Sequence, residues 1–545
     1  MTYPATAAER MARSRGVVDA LLDSAHAHVS QGHVSAAVAL LSAAATVSRR
    51  RHTGLFTNLT LESKLSAVGT AVHAQANHAQ QPESMRSRHR TPGGVLHVMT
   101  RGYAAGGHTR LVERWIDSEP DVVSSVAFTQ DCDAELGGLR AAVERSGGVV
   151  HRLHGSSLER IRQLAALTAE RDRIVLSIHE NDAVALLALT GLRRRAPVVV
   201  LNHAEHVFWA GASLADVLVT FRPASTDLAV ARRGIARASC IEIPLPVASR
   251  RRQQPTGEAR RTLGIDPADK VLLTIGWRYK FTPYAGDDLI QVLAPILDDS
   301  DVHLVAVGPR ADDKLWSEAH ARYAGRVHPV GRQDDVQCHL DAADVLLDSY
   351  PIASLTALLE AAMLGLPVVG LAPRDSRWPR ILREDDPALA DEMFDDADAY
   401  RARIRALLRD PAVWRDASHT LRERARRTHR PEAWAPAMRQ LHELASRAAR
   451  TPRQPPSPMQ LGEPSTEDSI LATYIADCED TLVRPELRLK PGLSERDEPE
   501  LTQVSERIAG IDRLLMGPSA PGAADYDEAL RLAREPVPDR AVLQP

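Results

Sequence analysis

The sequence predicts an α/β protein: two doubly wound parallel-sheet domains, preceded by a helical extension and followed by a tail. Three observations carry that prediction. Short apolar segments alternate with amphipathic helical patterns in two runs, at residues 94–247 and 258–410, and such alternation argues for parallel sheets covered by helices on both faces. A charged, breaker-rich stretch at 248–257, ASRRRQQPTG, separates the runs as a linker would. One stretch of the second run, LLDSYPIASLTALLEAAMLGLPVVGL at 346–371, reads as strand, loop, helix, turn and strand in succession.

Residues 1–90 form the extension. LLDSAHAHVSQGHVSAAVALLSAAATV spaces its apolar residues three and four apart, and Gly32, Ala37, Leu41 and Ala44 fall at the spacings of a tetratricopeptide-like helix pair. One copy is visible, where a self-supporting solenoid needs about three, so a plain helical extension is expected, with a polar linker at 75–92. In the first run, GVLHVMT is a buried strand and RGYAAGGHTRLVERWID a Gly-rich turn into a helix. DVVSSVAF, GVVHRL, RIVLSIH, PVVVLNH and DVLVTF follow as strands, with helices expected from Asp133, Ser157 and Asp182. The second run supplies KVLLTIG, DVHLVAVG, RVHPVG, DVLLDS and PVVGL. Residues 411–450 read as helices, and 451–545 as a partly ordered tail rich in Pro, Glu and Ser, with helical patches at 466–483 and 501–515.

Composition narrows the function. With 545 residues, 44% hydrophobic content, 25% charge and a net charge of −4, the chain has room for about three domains and no bulk attraction for nucleic acid or anionic lipid. It contains no run of about eighteen apolar residues, and Asp19 and Asp23 stand where a secretory apolar core would lie. Cys132, Cys240, Cys338 and Cys478 show no metal-ligand or disulfide spacing. A cytoplasmic protein without stable membrane insertion is the expectation.

The second run carries an anion-binding pattern. Ser354 and Thr356 stand where capping residues belong and Gly365 ends the helix, so the N–H groups around Ser354, Leu355 and Thr356 present a diphosphate site at the carboxyl edge of a sheet. Glu360, further along that helix, would accept hydrogen bonds from a ribose. KVLLTIG leads into WRYKFTP, which puts Arg278 and Lys280 at a strand end, as cations beside a departing diphosphate. Gly308 and Gly331 follow strands, either near a nucleotide base or as simple turns.

In the first run, Gly106, Gly107 and His108 stand at a helix start, where glycine permits close backbone approach and His108 can orient an acceptor or take its proton. The spaced third glycine and acidic partner of a dinucleotide fingerprint are missing. SIHEND places His179, Glu180, Asn181 and Asp182 at one strand end, and NHAEHVFW places Asn202, His203, Glu205 and His206 at the next. These are the acceptor and base candidates. A metal on His203, Glu205 and His206 is the rival reading; the spacing matches no familiar ligand set, and no metal is expected.

The spacing Asp-x-x-Pro-x-x-Ser-x-Thr-x-x-x-Glu-Ala, from Asp348 to Glu360, followed by Gly-x-Pro-Val-Val, resembles the donor-binding segment of GT-B glycosyltransferases. It is similar to glycosyltransferase family 4 (group 1) and, more weakly, to protein O-GlcNAc transferases. The resemblance implies two Rossmann-like domains facing a cleft, with residues 411–450 bracing them. It implies metal-independent hexosyl or N-acetylhexosaminyl transfer from a nucleotide-sugar donor such as a UDP-sugar, with no cofactor beyond that co-substrate. Lys280 and Arg278, with the groups near Ser354, Leu355 and Thr356, would hold the diphosphate; Glu360 would hold ribose, and His108, His203 or Asp182 would meet the acceptor. One departure stands out: family 4 enzymes carry Glu-x7-Glu, and the position eight before Glu360 is Ile352, which leaves retention or inversion open. A nucleotide-sugar epimerase of the same architecture and a silent nucleotide-sugar-binding protein are the alternatives, and a homo-oligomer is compatible with all three.

Overall fold

Two all-parallel sheets organise the chain. The computed structural model describes residues 6–78, 93–103, 107–130, 136–169, 171–192, 195–247, 250–448, 465–479, 499–515 and 521–535. The first sheet comprises β1 (Val95–Met99), β2 (Ser124–Phe128), β3 (Val150–Arg152), β4 (Arg173–Ser177), β5 (Val198–Leu201), β6 (Val217–Thr220) and β7 (Cys240–Glu242). The second comprises β8 (Lys270–Ile275), β9 (Val302–Val307), β10 (Val327–Gly331), β11 (Val345–Leu347), β12 (Val368–Leu371) and β13 (Met393–Phe394).

The strand orders are β3-β2-β1-β4-β5-β6-β7 and β10-β9-β8-β11-β12-β13, the doubly wound order in which the winding reverses beside the first strand. That reversal puts β1 next to β4, with Met99 opposite Ser177, and β8 next to β11, with Leu272 opposite Val345. Loops leaving neighbouring strands at a reversal splay to opposite faces and leave a crevice at the carboxyl edge. Strands β1, β2, β5, β6 and β11 are buried along their whole length because both faces are covered: Leu96, Val98, Ile174 and Leu176 lie in one core of the first sheet, and Met99, Val126 and Phe128 lie in another. The second sheet is likewise covered twice, by the cores around Leu272 and Leu304 and around Val271 and Leu273.

The chain divides into two units. One holds residues 1–221, 225–243 and 437–545; the other holds 222–224 and 244–436. The helical extension does not stand apart from the first sheet. Helices Ala7–Ser30 and Val34–Arg50 form a hairpin through Gly32, whose φ of 83° suits glycine, and Leu59–His78 follows. Val17, Leu21, Leu41 and Val68 share one core with Leu176, Leu187 and Val198 of the sheet domain. The tail departs from expectation in the same way. Helices Pro499–Leu515 and Ala523–Ala533 pack Val504, Ile508, Ile511, Tyr526 and Ala529 into that core, because each presents a continuous apolar stripe that needs covering. Most of the expected linker at 75–92, Asp133 and the Pro-rich start of the tail lie outside the described residues. Helix Pro411–His429 packs Leu421 and Ala425 on the second sheet, whereas residues from Ala437 onward group with the first unit.

Candidate active site

In the second unit, β8 and β11 bring their following loops together. Gly276 ends β8 so close to the β11 loop that a Cβ there would lie 3.1 Å from Ser354 Oγ and 3.2 Å from Ser349 Cβ. The 3-10 turn Arg278–Phe281 then carries Lys280, whose Nζ donates to the Ala353 carbonyl at 2.5 Å, at the foot of helix Leu355–Leu364. Lys280 and the amino end of that helix therefore share one edge, as expected.

Ser354 is the N-cap, but its side chain makes no capping bond. Asp348 takes that part: its Oδ1 accepts from Ser349 N at 2.8 Å and Ser354 N at 2.7 Å, while the two serine hydroxyls pair at 2.6 Å. Backbone bonding into the helix starts at Ala357, which donates to Ser354 O at 3.1 Å. The first-turn N–H groups of Leu355 and Thr356 thus head the helix on its solvent side, with Thr356 exposed. Burial raises the Asp348 carboxyl to about 6, with Lys280 opposing the shift. Next to it, Glu384 is pushed up to about 8 by burial, with Arg222 opposing and Asp348 adding to the shift. Glu384 Oε2 is buried without a hydrogen-bond partner and lines a small cavity with Asp348, Ala353 and Gly370.

Three donor-side residues are engaged elsewhere. Arg278 pairs with Asp313 at 3.1 Å. Glu360 Oε2 accepts from Arg250 of the linker at 2.9 Å, so a ribose would share that carboxylate. Gly331 donates to Pro309 O at 2.7 Å and accepts from Gly308 N at 2.8 Å, which ties the tips of β9 and β10 together. Beside them Trp277 is 46% exposed, with the Arg332 guanidinium 6.0 Å from its ring centroid.

In the first unit, β1 and β4 do the same for the histidines. His108 stacks on His203 with centroids 4.4 Å apart and lies 6.3 Å from His179, which accepts from or donates to Tyr103 Oη at 3.1 Å. His179, Glu180, Asn202 and His203 line one small cavity with Trp209. One ring nitrogen of His108 bonds the Ser177 carbonyl, and Nε2 is buried without a partner. Burial holds His108 well below its ordinary value, with His203 and His179 adding to the shift; burial likewise brings His203 down to about 4. The rings are neutral at pH 7, and His108 Nε2 presents a lone pair.

Asp182 occupies a different place from the one expected of an acceptor base. It is 3% exposed, caps helix Ala183–Leu189 through Ala185 N at 3.0 Å, and accepts from the hydroxyls of Thr100 at 2.6 Å and of Thr129. With those bonds made, it locks the ends of β1, β2 and β4 together, with three of its roughly four acceptor sites used. Gly107 begins helix Gly107–Ser118, where a Cβ would meet nothing, so the protein's own packing does not demand glycine there. Gly106 lies outside the described residues. No group of three or more His, Cys, Asp or Glu able to hold a metal occurs among the described residues.

Asp348, Glu384 and Arg49 are the residues that sequence reasoning leaves out of the site. Asp348 is visible as the first letter of the spaced motif; nothing in the spacing says that its carboxylate turns under its own helix. Arg49 and Glu384 have no local signal, because their neighbours are far away in sequence.

Residues 269–410 match the family described as glycosyl transferases group 1. The UDP-N-acetylglucosamine--N-acetylmuramyl-(pentapeptide) pyrophosphoryl-undecaprenol N-acetylglucosamine transferase of Thermus thermophilus is 28% identical over 221 residues, 36% of this chain. The chain spans 61% of that relative's length. Among solved structures, HepE of Anabaena with UDP and glucose gives a TM-score of 0.49 at 15% identity, over 65% of this chain and 100% of that one. The O-GlcNAc transferase of Thermobaculum terrenum gives 0.47 at 15% identity, over 83% and 99%. No helix among the described residues is long and apolar enough to cross a membrane.

Proposed function

We propose that the protein transfers a sugar from a nucleoside diphosphate donor to a hydroxyl acceptor. One observation carries this reading: within the segment that matches group 1 glycosyltransferases, the Lys280 ammonium and the open first turn of helix Leu355–Leu364 converge on one edge of the second sheet. A leaving diphosphate develops charge there, and a fixed cation with a helix amino end stabilises it. Lys280 and the N–H groups of Leu355 and Thr356 supply that stabilisation in the place a divalent cation would otherwise take. Gly308, Gly331 and Trp277 border the same edge and suit the nucleoside.

Within the first unit, His108 is the candidate base, since its buried Nε2 has no partner. As the acceptor oxygen bonds to the anomeric carbon, it gives up its proton to a general base. The bond from that carbon to the phosphate oxygen breaks, and its electron pair leaves with the nucleoside diphosphate. A reducing, cytoplasmic setting fits the unpaired Cys240 and Cys338.

The test is a thermal-shift screen with UDP, GDP, ADP and TDP and their sugars, followed by turnover of the Lys280→Ala variant. A ligand of the folded state raises the melting temperature. The variant should lose about 10²-fold or more in kcat while melting close to the parent. No stabilisation by any nucleotide, or an unchanged rate in the variant, would defeat the reading.

A further inference from the structure

Helix Val34–Arg50 ends against the loop that follows β4. Its last turn pairs Arg49 Nε with Glu180 Oε1, and one turn earlier Thr46 Oγ1 accepts from Asn181 Nδ2 at 2.9 Å. Glu180 is 9% exposed and follows β4, so the N-terminal extension holds the very loop that carries His179. The guanidinium and two imidazoles meet around one carboxylate: His179 is its chain neighbour, and His203 lines the same cavity. Burial pushes the Glu180 carboxyl up, and Arg49, with smaller help from His179, a backbone N–H and His203, brings it below its ordinary range. An ionised carboxylate beside these rings, left to itself, would favour the imidazolium form.

We propose that Arg49 is a positioning residue for the acceptor chemistry: by occupying Glu180 it denies the His108–His179–His203 cluster a counter-ion, and it makes the helical extension part of the acceptor site. The inference rests on the glycosyl-transfer reading, since it concerns the base that reading requires. The groups facing the cluster are Arg49 from the extension, Arg101 and Tyr103 after β1, and Glu180 and Asp182 after β4. Arg101 donates to Gln130 Oε1 at 2.9 Å, and Asp182 accepts from its threonines. Glu180 and Arg49 are therefore the opposed pair that acts on both His179 and His203.

The experiment uses the full chain with histidine rings labelled for NMR, alongside pH profiles of kcat/KM. In Arg49→Met the titration midpoints of His179 and His203 should rise by about one pH unit, a tenfold change in proton affinity. Because a protonated His179 or His203 disfavours proton uptake by His108 beside it, the acid limb of the rate profile should move up with them, leaving the high-pH plateau in place, and Arg49→Lys should restore both. Glu180→Gln should lower the midpoints, which keeps the test alive if Arg49→Met fails to fold. Midpoints that ignore both substitutions, or a loss of activity uniform across pH, would overturn the proposal. If the parent shows no transfer at all, the transfer reading fails by itself, while the NMR midpoints still report whether Arg49 and Glu180 control the rings.

Discussion

Glu384 is held protonated by its surroundings at neutral pH, and that makes a stability prediction. Its ordinary value is 4.5 and its folded value about 8. Between these values the folded chain keeps a proton that the unfolded chain has lost, so stability falls as pH rises through that window and levels off above it. Glu384→Gln removes the penalty. It should melt like the parent at pH 4.5 and be more stable at pH 8.5, by an amount on the order of a few kcal/mol. A difference in melting temperature that stays constant from pH 4.5 to 8.5 would contradict the assignment. The contrast with Asp182 shows how much residue type conveys. Both are buried acidic residues, yet one accepts from two hydroxyls and the other has an oxygen with no donor. Position after a strand marks Asp182 as a candidate, nothing local marks Glu384, and long-range packing decides how each is used.

At the scale of elements, the tips of β8, β9 and β10 are joined through their glycines. Gly308 has φ of 114°, and a Cβ there would fall 1.8 Å from the Gly276 carbonyl oxygen. Gly331 has φ of 68°, and its Cβ would meet nothing. Gly308→Ala should therefore cost several kcal/mol, from strain plus displacement of the β8 tip, and Gly331→Ala only about 1 kcal/mol, the left-handed penalty by itself. Urea denaturation of both variants checks the order; equal losses would mean that the β8–β9 contact does not constrain the edge. Strands other than β7 and β13 were legible in the sequence because parallel strands buried on both faces read as continuous apolar runs; those two are short, partly exposed edge strands without such a run. Helix Leu355–Leu364 was legible for its Gly365 stop. Its cap was not: Ser354 looks like the capping residue, and the bonds come instead from Asp348, six residues earlier.

At the scale of the whole molecule, the ends of the chain complete the first unit. Apolar spacing in residues 501–515 announces a helix, and composition around it announces a tail; neither says which surface the helix covers. Helix 523–533, framed by Gly and Pro, gave no comparable signal. The answer lies in contacts between residues hundreds of positions apart, such as Arg13 to Asp527 at 3.2 Å and Arg507 to Ser24 Oγ at 3.2 Å. Arg507 also donates to the carbonyls of Leu532 at 2.9 Å and Ala533 at 3.0 Å, which fastens the two tail helices to each other. Val504 is 1% exposed in the core that the extension shares with the first sheet. Val504→Asp buries an unpaired charge there and should cost several kcal/mol. Its melting temperature should fall clearly, and trypsin should cut the chain faster, while affinity by calorimetry for the nucleoside diphosphate that stabilises the parent stays unchanged, because Lys280 and helix Leu355–Leu364 belong to the other unit. A variant that melts like the parent would show that the tail adds nothing to the first unit's core. A variant that folds but loses that nucleotide would mean that the proposed donor site depends on that core.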